Sequence, residues 1–140
     1  MSNRSKGNAF ELKIKKYLEA NGFTVDKARA IQRMLFLPGG RKMFVSSPND
    51  FFGVADLIGV HHDKDYTLFV QCCAGTTKNL SVRRHKLEAV RWNFKVQRVQ
   101  LWSKPPKRGM VRVDELCAGL VWTSEQFKPA AGEGAPSAVL

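Results

Sequence analysis

The first twenty residues carry a helical pattern. Phe10, Ile14, Tyr17 and Leu18 recur at spacings of four, three and one, which puts them on one face of an α-helix. Lys13, Lys15, Lys16 and Glu19 mostly take other positions. The helix is predicted from Lys6 or Gly7 to Ala20, with Ser5 as its cap and Asn21-Gly22 as its stop. Glu11 lies on the side of Ile14 and Leu18, at the edge of the apolar stripe. From Phe23 to Ala28 the period changes to two, with Phe23 and Val25 alternating against Thr24 and Asp26 as in a strand. Residues 29–45 read as a strand, a Pro38-Gly39-Gly40 turn and a second strand from Lys42 to Val45. This hairpin-like excursion carries Arg29, Arg33, Arg41 and Lys42.

After a turn-rich loop at Ser46–Asp50, two apolar strands are predicted, Val54–Val60 and Tyr66–Cys73, joined by the polar turn His61–Asp65. Each holds one polar residue within its apolar run, Asp56 in the first and Gln71 in the second. A basic helix follows from Leu80 to Val90 or Trp92, then an alternating strand from Lys95 to Trp102. Pro105–Gly109 breaks the chain, Met110–Val113 reads as a last short strand, and Asp114–Leu120 as one or two helical turns. From Lys128 onward the composition is that of a disordered tail. The order predicts a single α/β (α+β) domain over residues 1–127, a mixed sheet covered by helices, with a flexible tail at 128–140.

Composition adds the class of partner. The 140 residues, 44% of them hydrophobic, are enough for a core. No apolar run approaches ~18 residues, so no membrane span is expected. The basic N-terminus lacks the apolar segment of a secretory signal, and a cytoplasmic location is expected. Cys72 and Cys73 are adjacent and would point to opposite faces of a strand, so reduced thiols are expected. The net charge of +11 favours a polyanionic partner, nucleic acid first.

A charged or amide side chain in a central strand needs either a protein hydrogen bond or a metal ion. Strand parity puts Gln71 and Cys73 with Thr67 and Phe69, and Asp56 with Val54 and Ile58. If the two strands pair through the 61–65 turn, Asp56 and Gln71 become neighbours across them, and Glu11 can supply a third oxygen. Such hard oxygen ligands suit Mg²⁺ or Mn²⁺. Beside a +11 surface, they point to phosphodiester hydrolysis in DNA. A zinc site from His61, His62, Cys72 and Cys73 is disfavoured, since a strand length of roughly 25 Å separates the two pairs.

Lys6-Gly7 with Phe10-Glu11 on a first helix, an Asp56-Leu57-Ile58 strand, and Leu68-Phe69-Val70-Gln71-Cys72 leading to Ala74-Gly75 come in an order that resembles the PD-(D/E)xK nuclease superfamily. Within it the likeness is to the archaeal-type Holliday junction resolvases, versions carried by phages included, over roughly residues 4–92. The resemblance implies a restriction-endonuclease-like central mixed sheet flanked by helices. It also implies a homodimer that binds four-way DNA junctions in the cytoplasm and nicks two strands symmetrically with Mg²⁺. Carried over, Glu11 matches the helix acid, Asp56 the metal-bridging aspartate, and Gln71 the first acid of the E-x-K element. Arg4, Lys6, Arg29, Arg33, Arg41, Lys42, Ser47, Arg83 and Arg84 are the expected DNA contacts. The sequence departs from the pattern at Gln71, where Glu is commoner, and at Cys73, where the family has lysine. A thiol does not replace an ammonium beside an attacking water. Either Lys78 or Lys86 supplies that cation, or the chain keeps DNA binding and has lost catalysis.

Overall fold

A computed structural model gives the fold; it describes residues 3–29, 31–47, 49–74, 78–129 and 139–140, the side chains of 3–5, 31–33, 46–47 and 78 excepted. The order is α1 (Asn3–Ala20), β1 (Thr24–Lys27), β2 (Ile31–Leu37), β3 (Arg41–Ser47), β4 (Leu57–Val60), β5 (Thr67–Cys73), α2 (Lys78–Glu88), β6 (Gln97–Ser103), β7 (Val111–Cys117) and β8 (Val121–Phe127). Six strands form one sheet in the order β1-β4-β5-β6-β7-β8. Only the β5–β6 pair is parallel; the others are antiparallel. A parallel pair needs a long crossover, and α2 makes it. The sheet is therefore mixed, with two helices on it, as the patterning predicts. No helix among the described residues is long and apolar enough to cross a membrane.

The two helices cover opposite faces. Phe10, Ile14 and Leu18 of α1 pack on Leu57, Leu68, Val70, Cys72 and Trp102. Leu87 of α2 packs on Cys73, Val99, Leu101 and Leu116. Alternation along β5 makes this division, since Leu68, Val70 and Cys72 face α1 while Phe69, Gln71 and Cys73 face α2. Gly59 of β4 lies where a Cβ would meet the Phe23 ring at 3.3 Å, so its lack of a side chain lets Phe23 close over the sheet.

The C-terminal third differs from the prediction. Residues 114–120 are not helical. They complete β7 and turn through Ala118–Leu120 into β8, with Cys117 registered on Val121. Gly119 and Leu120 adopt positive φ of 78° and 58°, and the glycine makes that turn accessible. The decisive residue is Asp114, which is fully buried. In a helix it would be a solvated acid; in β7 it faces α2 and meets Arg84 and Arg112. At the other end α1 begins at Asn3, so Ser5 is inside the helix and is not its cap. The strand predicted at Val54–Val60 begins at Leu57, because residues 51–55 form a turn closed by a Phe51–Ala55 bridge.

A buried polar network ties the last two residues to the sheet. Gln100 accepts a hydrogen bond from Trp102 Nε1 at 2.9 Å, and its amide donates to Glu115 Oε1 at 2.9 Å and to the Val139 carbonyl at 2.6 Å. Tyr66 donates to the Leu140 carbonyl. Val139 is buried, so the end of the predicted tail packs on the core; residues 130–138 lie outside the described residues.

Candidate active site

Leu57 is registered opposite Val70, yet the Asp56 amide also donates to the Val70 carbonyl at 2.8 Å. Two residues face one, which is the pairing of a β-bulge. The Cys72 amide then finds the Asp56 side chain and donates to Oδ2 at 2.8 Å. On the other side the Asp56 carbonyl accepts from Ala28 at 2.8 Å. Asp56 is thus clamped between the end of β1 and the end of β5, with one carboxylate oxygen already used.

Its side chain opens into a cleft of about 560 Å³ beneath α1, whose lining includes Glu11, Lys27, Arg29, Asp50 and Asp56. Burial pushes the Asp56 carboxyl up from 3.8 to about 7; the Cys72 amide opposes that shift, Glu11 and Asp50 add to it, and Arg83 opposes it. A carboxyl held near neutrality by burial and neighbouring acids, in a cleft, marks a candidate functional group. Glu11 is not a plain solvated helix acid, because Lys27 Nζ lies 3.0 Å from its Oε2. From the other face Arg83 of α2 reaches over the end of β5 and donates to the Cys72 carbonyl at 3.3 Å.

Glu11 and Asp56 therefore come together, and Gln71 does not join them. The bulge turns Asp56 toward the α1 side, whereas Gln71 stays in regular alternation on the α2 side. This corrects the expected Asp56–Gln71 neighbourhood. Gln71 is buried, and its Oε1 has no hydrogen-bond partner among the described residues. Cys73 is fully buried in the α2-side core. Burial and the nearby acids push the Cys72 thiol well up, so it is an inert packing residue.

Two residues that the sequence reading passed over belong to this site, Asp50 and Lys27. Lys27 had a readable signal: Phe23, Val25 and Lys27 share one face of β1, so a lysine continues a buried face. Asp50 ends a loop and carried no such signal. Arg84 is corrected as a DNA contact. Its Nη2 pairs with buried Asp114 at 3.0 Å and its guanidinium lies 5.0 Å from the Trp122 ring centroid, so it is held within the fold. Lys6, Arg29, Arg41, Lys42 and Lys86 are exposed, and Arg83 is half-buried. The side chains of Arg4, Arg33, Ser47 and Lys78 lie outside the described residues. His61, His62 and Asp63 bring ligand atoms within 4.8 Å at the exposed turn, but His61 Nδ1 already accepts from the Asp63 amide at 3.0 Å.

Glu11, Asp50 and Asp56 place carboxylates on the lining of one cleft, and oxygen donors of this kind suit a hard divalent cation. Their oxygens are not drawn together as closely as the ligand atoms of His61, His62 and Asp63, and the raised Asp56 carboxyl comes first from burial, with the two neighbouring acids adding to it. Compared with known proteins, the chain matches no protein-family model, no curated protein sequence and no solved structure.

Proposed function

We propose that this protein is a metal-dependent, structure-selective DNA endonuclease that nicks four-way junctions as a homodimer, built on a restriction-endonuclease-like form of the mixed sheet. The observation that carries this reading is the cleft lined by Glu11, Lys27, Asp50 and Asp56 on a chain of net charge +11. Glu11 and Asp56 would hold Mg²⁺ or Mn²⁺, with Asp50 beside them; Gln71 is left out of the set. When bound, such an ion lowers the pKa of an attacking water and neutralises charge on a phosphoryl oxygen. The Cys72 amide fixes one Asp56 oxygen and leaves the other for the ion. Lys27 takes the role that Cys73 cannot fill. Its ammonium orients the water and offsets the charge that develops on the phosphate. Arg29 at the cleft edge, with Lys6, Arg41, Lys42 and Arg83, grips phosphates and sets the register of the DNA. Paired nicks require two sites, hence the dimer.

The test is cleavage of a labelled four-way junction by the purified protein with Mg²⁺ or Mn²⁺, beside duplex and flap controls. Lys27→Met is expected to slow cleavage about 100-fold, the scale of losing one charge-stabilising donor, with junction binding within twofold of wild type and Lys27→Arg recovering part of the rate. Equal rates for wild type and Lys27→Met would remove Lys27 from the mechanism. A second reading, a DNA-binding protein without catalysis, is favoured by the Glu11–Lys27 ion pair, which neutralises one of the two chief ligands. Tight junction binding without nicking, across several pH values and salt concentrations, selects it.

A further inference from the structure

The β2–β3 ribbon stands outside the sheet; among the described residues its two strands pair only with each other. Among the described residues it also gathers many of the exposed large apolar side chains. Phe36 and Phe44 are each 74% exposed, and Met34, Leu35, Leu37 and Met43 are exposed as well. An isolated two-stranded hairpin is marginal in water, and large apolar side chains gathered on an exposed ribbon point to a binding surface.

Register decides what the ribbon offers. Phe36 faces Lys42 across the ribbon, and Met34 faces Phe44, so all four share one face. The Lys42 ammonium lies 6.0 Å from the Phe36 ring centroid. Leu35 and Leu37, opposite Met43 and Arg41, form the other face. Residues 29–47 hold four Arg or Lys and no Asp or Glu. Stacking two such ribbons from two copies would set Lys42 against its own image on one face, or Arg41 on the other, with no acid to offset either. A polyanion with apolar surfaces of its own meets both properties. Nucleic acid has them wherever base faces are exposed.

The ribbon is also rooted at the cleft. Ala28 and Arg29 before it, and Asn49 and Asp50 after it, line the same cavity as Glu11 and Asp56. Seven residues per strand reach roughly 23 Å at the usual rise, about the width of a duplex. We propose that the ribbon is a nucleic-acid arm: Phe36 and Phe44 stack on unpaired or unstacked bases, Lys42 on the same face holds the adjoining phosphate, and Arg41 holds a phosphate from the opposite face. It selects DNA with an interruption, such as a branch point, over intact duplex. This rests on the DNA-binding half of the reading above and is independent of catalysis.

The experiment measures binding in a metal chelator at stated salt, so no cleavage is involved. Two probes are used, a four-way junction with 2-aminopurine at the branch and a plain duplex. The Phe36→Ala/Phe44→Ala variant is expected to lose at least about tenfold in junction affinity. Its duplex affinity stays within about twofold and its salt slope is unchanged. The rise in 2-aminopurine fluorescence on binding disappears, and Phe36→Tyr/Phe44→Tyr retains it. Arg41→Ala/Lys42→Ala weakens both DNAs and lowers the salt slope by about two. Circular dichroism of each variant confirms that the sheet is intact. Wild-type junction affinity in the Phe→Ala variant, or equal losses on junction and duplex, overturns the proposal. So does conversion of a wild-type dimer to monomers by Phe36→Ala/Phe44→Ala in sedimentation, which would make the ribbon a self-association surface.

Discussion

Asp56→Asn is expected to cut junction cleavage at pH 8 by at least about 10³-fold, the several kcal/mol that a bridging carboxylate contributes through its ion. Junction binding should stay within a factor of two. The same change should make the metal-free protein more stable. The Asp56 carboxyl titrates near 7 instead of 3.8, chiefly because of burial. Between those values the folded chain holds a proton that the unfolded chain has released. The stability contributed by the neutral acid is complete below about pH 4 and is lost as pH rises through 7. An asparagine never charges, and its Oδ1 still accepts from the Cys72 amide. Above pH 7 the variant should gain on the order of 2–4 kcal/mol. Melting in chelator from pH 4 to 8 checks this: the two curves should nearly coincide at pH 4 and separate toward pH 8. Equal melting temperatures at pH 8 would show that Asp56 is not strained by its burial.

Asp114→Ala should be the most damaging single change to the fold. Asp114 is fully buried. It accepts from Arg112 Nε at 2.9 Å and from the Ser124 hydroxyl, and Arg84 Nη2 lies 3.0 Å from its other oxygen. Truncation leaves two partly buried guanidinium groups with no counter-charge, a loss of about 3–5 kcal/mol and on the order of 10–15 °C in Tm. Urea midpoints measure it. A loss under about 1 kcal/mol would mean that water replaces the carboxylate at little cost. Replacing Asp114, Arg84 and Arg112 together by apolar residues should recover part of the loss, because charge without a partner, more than the pair itself, sets the penalty.

The parts of the fold written in local periodicity were legible. The spacing of Phe10, Ile14 and Leu18 predicts α1, the alternation in β1 and β6 predicts those strands, and the apolar run Tyr66–Cys73 predicts β5. The Pro38-Gly39-Gly40 turn marks the ribbon. What stayed hidden depends on partners far along the chain. Asp114 reads as helical until Arg84 and Arg112 are placed around it. Arg84 reads as a surface cation until Trp122 is beneath it. In the candidate site Glu11 and Asp56 were legible as acids at unusual positions, and both line one cleft. Gln71 was linked to Asp56 by parity, and parity holds only in an unbroken ladder. One extra residue on the strand side of Asp56 was enough to separate them, and nothing in the residues themselves announces a bulge. Lys27 lies on β1, upstream of the E-x-K position, where the resemblance places no cation.

The doubled pairing at Val70 has a consequence for how such a site arises and disappears. Asp56 is the one residue between the Phe51–Ala55 bridge and Leu57, and it emerges beneath α1 because it shares Val70 with Leu57. Paired with Gln71 in an unbroken ladder, it would leave β4 its apolar alternation and the sheet its order, yet its carboxylate would point to the side of Phe69. The cleft would keep Glu11 and Lys27 and lose Asp56. A slip of one register position in this short segment therefore decides which acids the cleft holds, without altering any residue of the core.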